Sequence, residues 1–156
     1  EQRQPVYYLG GDADLIAELE PLLVLVSAVR LHIGTREQAA TVKLAMNLNI
    51  SAHVEGLCEA LALARRAGVN DEVFFGALAK NVSYSGVTKL KEPKLRAGDF
   101  SPQFSVKHMH KDMRLASTMA EDQNLPVLAA VRDRLAAAEK AGWADEDFSA
   151  VMKLLK

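Results

Sequence analysis

The chain has 156 residues, of which 49% are hydrophobic and 25% are charged, and 19 lysines and arginines against 20 aspartates and glutamates give a formal charge of −1. This composition excludes a disordered chain, and the near-neutral charge argues against nucleic acid or an anionic membrane as the main partner. A chain of this length buries a core without disulfides or metal, so we expect one soluble domain whose partners are small molecules or protein surfaces.

Abundant alanine, few glycines and prolines, and the lack of a sustained strand alternation predict an all-α fold. The first helix begins after the N-cap Asp12 and runs to about Val29. A short extended piece is expected at Leu31 to Ile33. Within this region the longest uncharged apolar run, Pro21 to Val29, is far shorter than the roughly 20 residues that span a bilayer.

The longest predicted helix is capped by Thr35, runs to Arg66 and stops at Gly68. Between Ala39 and Ala64 its only charged residues are Lys43, Glu55 and Glu59. Such an apolar helix is expected to be central and buried. Because it outgrows the core of a small domain, we also expect part of its surface to meet a second subunit, most simply in a homodimer.

Further elements follow in the second half of the chain. The run from Lys89 to Arg96 is basic, lacks interleaved aromatic residues and contains a proline, so we interpret it as an exposed loop rather than a phosphate patch. The remaining elements are expected at Asp71 to Lys80, around Ser85 to Leu95, at Phe104 to Asp122, at Pro126 to Ala141 and at Asp145 to Leu155.

Most motifs that carry chemistry are absent. The glycines form neither G-x-G-x-x-G nor a Walker loop, and no H-E-x-x-H or G-x-S-x-G occurs. His108 and His110 lie two residues apart and would point about 200° apart on a helix, so no metal site is predicted. The single cysteine, Cys58, allows no intrachain disulfide and favours core packing in a reducing cytosol.

Two groups of polar residues are candidates for a site. Lys43 and Asn47 are four residues apart and share a helix face that continues as an apolar stripe, where a carboxylate or carbonyl of a ligand would pair with them. The alternative is that Lys43 extends to solvent and Asn47 bonds neighbouring backbone. Lys107, Lys111 and Arg114 share another face, which suits either an anionic ligand or plain solvation.

These residues, taken together, resemble the beta-hydroxyacid dehydrogenases, the 3-hydroxyisobutyrate dehydrogenase family. The resemblance covers essentially the whole chain. It is carried by Gly10-Gly11-Asp12, Gly34, Lys43, Asn47, the stretch Glu59-Ala60-Leu61 to Gly68, Phe104, Lys111-Asp112, Gly142 and Asp147-Phe148-Ser149.

The resemblance implies that residues 1–156 are the all-α C-terminal substrate and oligomerisation domain, a bundle around one long helix as in 6-phosphogluconate dehydrogenase-like enzymes. The Rossmann domain that binds most of the NAD or NADP would lie upstream. The opening at Glu1, without an initiator methionine or a signal sequence, fits this expectation. The isolated chain is therefore expected not to turn over.

The resemblance also implies roles for individual residues. Lys43 would be the general acid/base for interconversion of a small 3-hydroxy acid and its semialdehyde, and Asn47 would bind the substrate. Lys111, Asp112 and Phe104 would line the cleft beside the cofactor. The chain departs from the family at Glu37 and Ala39, where glycines are usual, and at Met46, where asparagine is frequent.

Two other functions stay open. One is a catalytically silent helical dimerisation module of the same fold, against which the retention of Lys43, Asn47 and Lys111 argues. The other is a relative that reduces imines, in which the acid/base position is often not lysine.

Overall fold

A computed structural model describes residues 5–155. In this part of the chain α-helices dominate, as the sequence predicts. The elements in chain order are β1 Val6–Gly10, α1 Ala13–Val26, β2 Val29–Gly34, α2 Arg36–Arg66, α3 Asp71–Leu78, α4 Gly86–Ala97, α5 Val106–Met119, α6 Pro126–Ala138, a π-helical turn Glu139–Trp143 and a 3₁₀ helix Phe148–Leu154. The chain divides into two compact units, and the division falls between residues 46 and 47, within α2. No helix of the described residues is long and apolar enough to cross a bilayer.

The first unit is a β-α-β motif followed by the first turns of α2. β1 and β2 pair in parallel, and α1 connects them. α1 ends at Val26 rather than near Val29, because Val29 already pairs with Val6 in the sheet. β2 contains the extended piece expected at residues 31–33. β1 was not predicted, since its five residues show no alternation of apolar and polar side chains.

Both helices of this unit begin at their predicted caps. The Asp12 carboxylate accepts the N–H of Leu15 at 2.9 Å. At α2 the Thr35 hydroxyl accepts the N–H of Gln38 at 3.2 Å, and the Gln38 side-chain oxygen accepts the N–H of Thr35 at 2.8 Å. This reciprocal pair is a capping box, which satisfies two backbone donors at the start of the helix.

The end of β1 lies against the first turn of α2. A Cβ at Gly10 would fall 2.7 Å from the Cα of Arg36 and 2.8 Å from the Cβ of Ala39. Only glycine permits this close approach. The tyrosines of β1, Tyr7 and Tyr8, therefore lie beside the start of the long helix.

The second unit contains the hydrophobic core. α2 contributes Val54, Leu57, Cys58 and Leu61, and it ends where predicted, at Gly68 with φ +79°. The other core residues come from the later elements and are Phe75, Leu95, Val106, Met109, Met113, Leu128, Val131, Leu135, Ala138, Phe148, Ala150 and Val151. One face of α2 is buried in this unit. On the other faces of the helix the exposed residues include Gly56, Glu59, Ala60 and Leu63.

The basic segment 89–96 is not an exposed loop, contrary to the sequence interpretation. It belongs to α4, where Lys91 is 1% exposed and Lys94 is 8% exposed. The Lys91 ammonium donates to both carboxylate oxygens of Asp147, at 2.7 and 2.8 Å, and lies 4.5 Å from the ring centroid of Phe148. Composition could not reveal this burial, because the counter-charge is 56 residues away in the chain.

Asp147 joins three segments of the second unit. Besides Lys91, its carboxylate accepts the N–H groups of Gln103, Phe104 and Ser149 and the Ser149 hydroxyl, the last at 2.6 Å. Burial raises the pKa of Asp147, but the hydrogen bonds from Lys91 and Ser149 outweigh it and hold that pKa below its usual range. The Asp-Phe-Ser motif thus has a structural role in this chain.

Candidate active site

The candidate site of the second unit is built on a bridge between α2 and α5. The side-chain amide of Asn47 donates to Oδ2 of Asp112 at 2.7 Å. Asp112 is 1% exposed, whereas Asn47 is half-buried. A buried carboxylate that accepts the Nδ2 hydrogen fixes the orientation of the amide, because a flipped amide would turn its oxygen toward Asp112.

Lys111 lies on the other side of the same carboxylate. Its Nζ is 3.3 Å from Oδ1 of Asp112, and its side chain is 52% exposed. Asp112 therefore accepts a hydrogen bond from the Asn47 amide at Oδ2 and forms an ion pair with the Lys111 ammonium at Oδ1. This grouping brings Asn47 together with the adjacent pair Lys111 and Asp112, which the sequence singled out separately from it.

Lys43 lies in the first unit and is exposed. Asn47, four residues later in the sequence of α2, belongs to the second unit. The sequence placed Lys43 at the end of an apolar stripe that makes a charge costly. Its exposure removes that cost, so burial gives no argument for a bound ligand at this lysine.

A groove of about 440 Å³ lies between β1 and the start of α2. Lys43 and Arg36 both line it, and the other lining residues are Val6, Tyr7, Tyr8, Gly10, Ala39 and Ala40. Sequence reasoning missed Arg36. The signal was available, since a residue seven positions before Lys43 lies on the same helix face.

The nearby Glu37 stands where the resemblance expects a glycine. It is exposed, and hydrogen bonds from its own backbone N–H and from the Thr35 hydroxyl lower the pKa of its carboxyl group. Its interactions are therefore local to the helix start.

Phe104 lies just before α5 and packs against the hydrophobic core. Its ring centroid is 6.0 Å from that of His108, with the planes tilted by 44°. Its backbone N–H donates to Asp147 at 3.3 Å. These contacts fix the position of the ring eight residues before Asp112, at the start of the helix that carries the carboxylate.

The two histidines of α5 have different partners. His108 Nδ1 lies 2.7 Å from the Ser105 hydroxyl, and His110 Nδ1 lies 2.5 Å from a carboxylate oxygen of Glu139. Among the residues that the structure describes, no group of three histidine, cysteine or acidic side chains could hold a metal ion.

The expected basic face of α5 is partly neutralised. Lys107 forms an ion pair with Asp145 at 2.5 Å, and Lys111 lies beside Asp112. Because these lysines are paired with acidic residues, α5 does not present a broad cationic surface that would bind anions without selectivity. Lys111 is then a candidate for contact with a ligand as a single residue.

Comparison with known proteins gives a family match. The family model described as the NAD-binding domain of NADP-dependent 3-hydroxyisobutyrate dehydrogenase matches residues 38–155. Glyoxylate/succinic semialdehyde reductase 2 of Arabidopsis thaliana is 28% identical over 100% of this chain, which covers 44% of that protein. The cytokine-like nuclear factor N-PAC of Drosophila melanogaster is 30% identical over 91% of this chain, which covers 24% of that protein.

A solved structure gives the same result for the fold. The crystal structure of 3-hydroxyisobutyrate dehydrogenase from Salmonella typhimurium matches with a TM-score of 0.86 and 28% identity, over 93% of this chain and 52% of that one. The chain thus spans about half, or less, of the length of these relatives.

Proposed function

This chain belongs to the NAD-binding domain family of NADP-dependent 3-hydroxyisobutyrate dehydrogenase, and on that premise we propose that it is the substrate-side part of an NAD(P)-dependent oxidoreductase. The reaction proposed is the interconversion of a small 3-hydroxy acid and its semialdehyde. The main support from the structure is the hydrogen bond from the Asn47 amide to Asp112, which fixes the orientation of that amide.

Lys43 is the proposed general acid/base. During reduction its ammonium gives a proton to the aldehyde oxygen as that oxygen gains charge, and during oxidation the neutral amine takes the hydroxyl proton back. A lysine suits this role because its long stem lets the amine reach a substrate from an exposed position on a helix. When bound, the nicotinamide cofactor supplies or accepts the hydride that balances this proton.

Asn47 and Asp112 have complementary roles in this proposal. The Asp112 carboxylate holds one amide hydrogen of Asn47, which leaves the amide oxygen and the second N–H to bind polar groups of the substrate. Because the orientation of the amide is set before the substrate arrives, binding does not have to fix it.

The residues of this chain fit a contributory role in cofactor binding. Lys111 presents a half-exposed ammonium that Asp112 orients, which suits the ribose and phosphate oxygens of a dinucleotide. Phe104 would form a wall of the same cleft. The sequence has no G-x-G-x-x-G loop, so the main phosphate cradle is assigned to a dinucleotide-binding domain outside these residues.

The partner surface is proposed on the open side of α2 in the second unit. A groove of about 520 Å³ there has the small residues Ala52, Gly56 and Ala60 on its α2 wall, and its other lining residues are His53, Leu57, Phe74, Ala77, Leu78, Asn81, Ser83 and Thr88. Small side chains let another helix approach closely, so we propose that a second copy of the chain packs on this face.

A catalytically silent helical dimerisation module is the second candidate. Two observations favour it: Lys43 is exposed, so its presence on the helix costs a packing module nothing, and a relative at 30% identity is named as a nuclear factor rather than an oxidoreductase.

The test is turnover of the full-length protein, followed by nicotinamide absorbance with small semialdehydes and hydroxy acids. We expect Lys43→Ala to lower kcat by at least about 100-fold, which is the lower range for general acid/base catalysis. The matched control is Lys89→Ala, which removes an exposed lysine from α4 and should leave turnover unchanged. Equal turnover in wild type and in a folded Lys43→Ala protein would reject the acid/base role.

A further inference from the structure

The groove that Lys43 lines has a second cation at its other end. Arg36 is the first residue of α2, is exposed, and lines the same groove. Within the described residues, Arg36 makes no hydrogen bond or ion pair of its side chain. Its guanidinium group is therefore available to a ligand with its full set of donors.

The position of Arg36 is not explained by helix stability. A cation in the first turn is opposed by the positive end of the helix dipole, and acidic residues are the ones that stabilise this position. Glu37 is adjacent in sequence, but it is rotated by about 100° around the helix and does not line the groove. The arginine thus has an unfavourable location, which the charge of the adjacent Glu37 offsets in part.

Arg36 and Lys43 have a defined spacing. Seven residues along an α-helix bring two side chains back to within about 20° of the same face and separate their backbones by about 10 Å. The walls between them are Ala39, Ala40 and the β1 tyrosines, which add no charge.

Such a groove suits an elongated anion better than a compact one. A guanidinium binds a carboxylate through two parallel N–H···O bonds, which gives directional selectivity that an ammonium lacks. An anionic group several bonds from the reacting carbonyl would reach Arg36 while that carbonyl stays at Lys43. A carboxylate attached directly to the reacting carbon would not span the distance.

We propose that Arg36 is a specificity-determining residue that binds the distal carboxylate of the substrate. The proposal rests on the proposed function of Lys43, and it takes the substrates to be aldehydes whose carboxylate lies two or more carbons from the aldehyde carbon. These are the semialdehydes of 3-hydroxy acids and, one carbon longer, succinic semialdehyde, which is reduced to a 4-hydroxy acid. In glyoxylate the carboxylate is bonded directly to the aldehyde carbon, so we expect that Arg36 does not bind the carboxylate of this substrate.

The experiment compares succinic semialdehyde with glyoxylate in the full-length protein. In Arg36→Gln, kcat/KM for succinic semialdehyde should fall about tenfold, mainly through a higher KM, which corresponds to the loss of one charge-assisted hydrogen-bonded contact. The value for glyoxylate should stay within about twofold of wild type. Arg36→Lys should retain part of the preference because it keeps the charge but not the paired donors.

The matched control is Arg66→Gln, which removes the same charge from the last turn of the same helix. Arg66→Gln should leave kcat/KM unchanged for both substrates. Equal losses for both substrates in Arg36→Gln, no loss for either, or the same loss in Arg66→Gln would overturn the assignment of Arg36.

A binding measurement separates this proposal from the proposed function. Butyrate should raise the melting temperature of the wild-type protein more than butyramide does, because the neutral amide lacks the carboxylate that Arg36 would bind, and Arg36→Gln should abolish the difference. If the wild type shows no turnover but this difference is present and depends on Arg36, the binding subsite is supported and the dehydrogenase function fails. If butyrate and butyramide act alike on the wild type, the subsite is rejected whatever the turnover.

Discussion

Two lysines of this chain have opposite environments, and sequence reasoning treated them differently. Lys91 was expected in an exposed loop, yet it is 1% exposed and paired with Asp147. For Lys43 two alternatives were open, a ligand-binding position on an apolar stripe and extension to solvent, and the residue is exposed. The burial of Lys91 could not be predicted, because the neighbours that decide it come from distant parts of the chain. The helix that carries Lys43 and Asn47, by contrast, follows from local signals and is present in the structure.

The buried pair gives a prediction at this scale. Lys91→Met should lower the free energy of unfolding by about 3 to 5 kcal/mol, because it leaves the Asp147 carboxylate buried without its counter-charge. Chemical denaturation at neutral pH measures the change. Lys89→Met, two residues earlier and exposed, should stay within about 0.5 kcal/mol of wild type. A small loss in Lys91→Met would mean that water reaches Asp147 and that the pair is not a buried one.

At the scale of elements, the helices were more predictable than the strands. Caps at Asp12 and Thr35 and the stop at Gly68 are local signals, and the structure confirms all three. β1 carries no such signal, since five residues paired in a two-stranded parallel sheet need neither alternation nor a turn residue. The hydrogen bond between Asn47 and Asp112 could likewise not be predicted, because it joins residues that are 65 positions apart in the sequence.

The open side of α2 gives a prediction at this scale. If a second copy packs on the groove beside Gly56, Gly56→Arg should convert a dimer to a monomer in sedimentation experiments. No atom lies within 4 Å of the position that a Cβ would occupy at Gly56, and replacing a mid-helix glycine favours the helix, so the fold should persist. The control is Gly76→Arg on α3, whose Cβ position is equally open and lies outside the groove. A monomeric wild type, or a dimeric Gly56→Arg protein, would reject this interface.

At the scale of the whole molecule, the two units differ in how they are stabilised. Among the described residues, the second unit has a core of sixteen buried residues contributed by α2 and the later elements. In the first unit no residue of α1 is buried, and leucines such as Leu22 and Leu25 are 63% and 79% exposed. The all-α prediction therefore describes the second unit well and the first only in part, since a β-α-β motif precedes the bundle.

The central claim is that Lys43 transfers the proton that accompanies hydride transfer, and chemical rescue tests it most directly. In the full-length protein, nicotinamide absorbance would be followed for Lys43→Ala with increasing concentrations of methylamine or ethylamine. We expect turnover to be low without amine and to rise with amine concentration, because a small amine can occupy the space of the missing side chain and supply the proton. Full turnover without amine, or a folded and cofactor-binding Lys43→Ala protein that no amine reactivates, would contradict the claim.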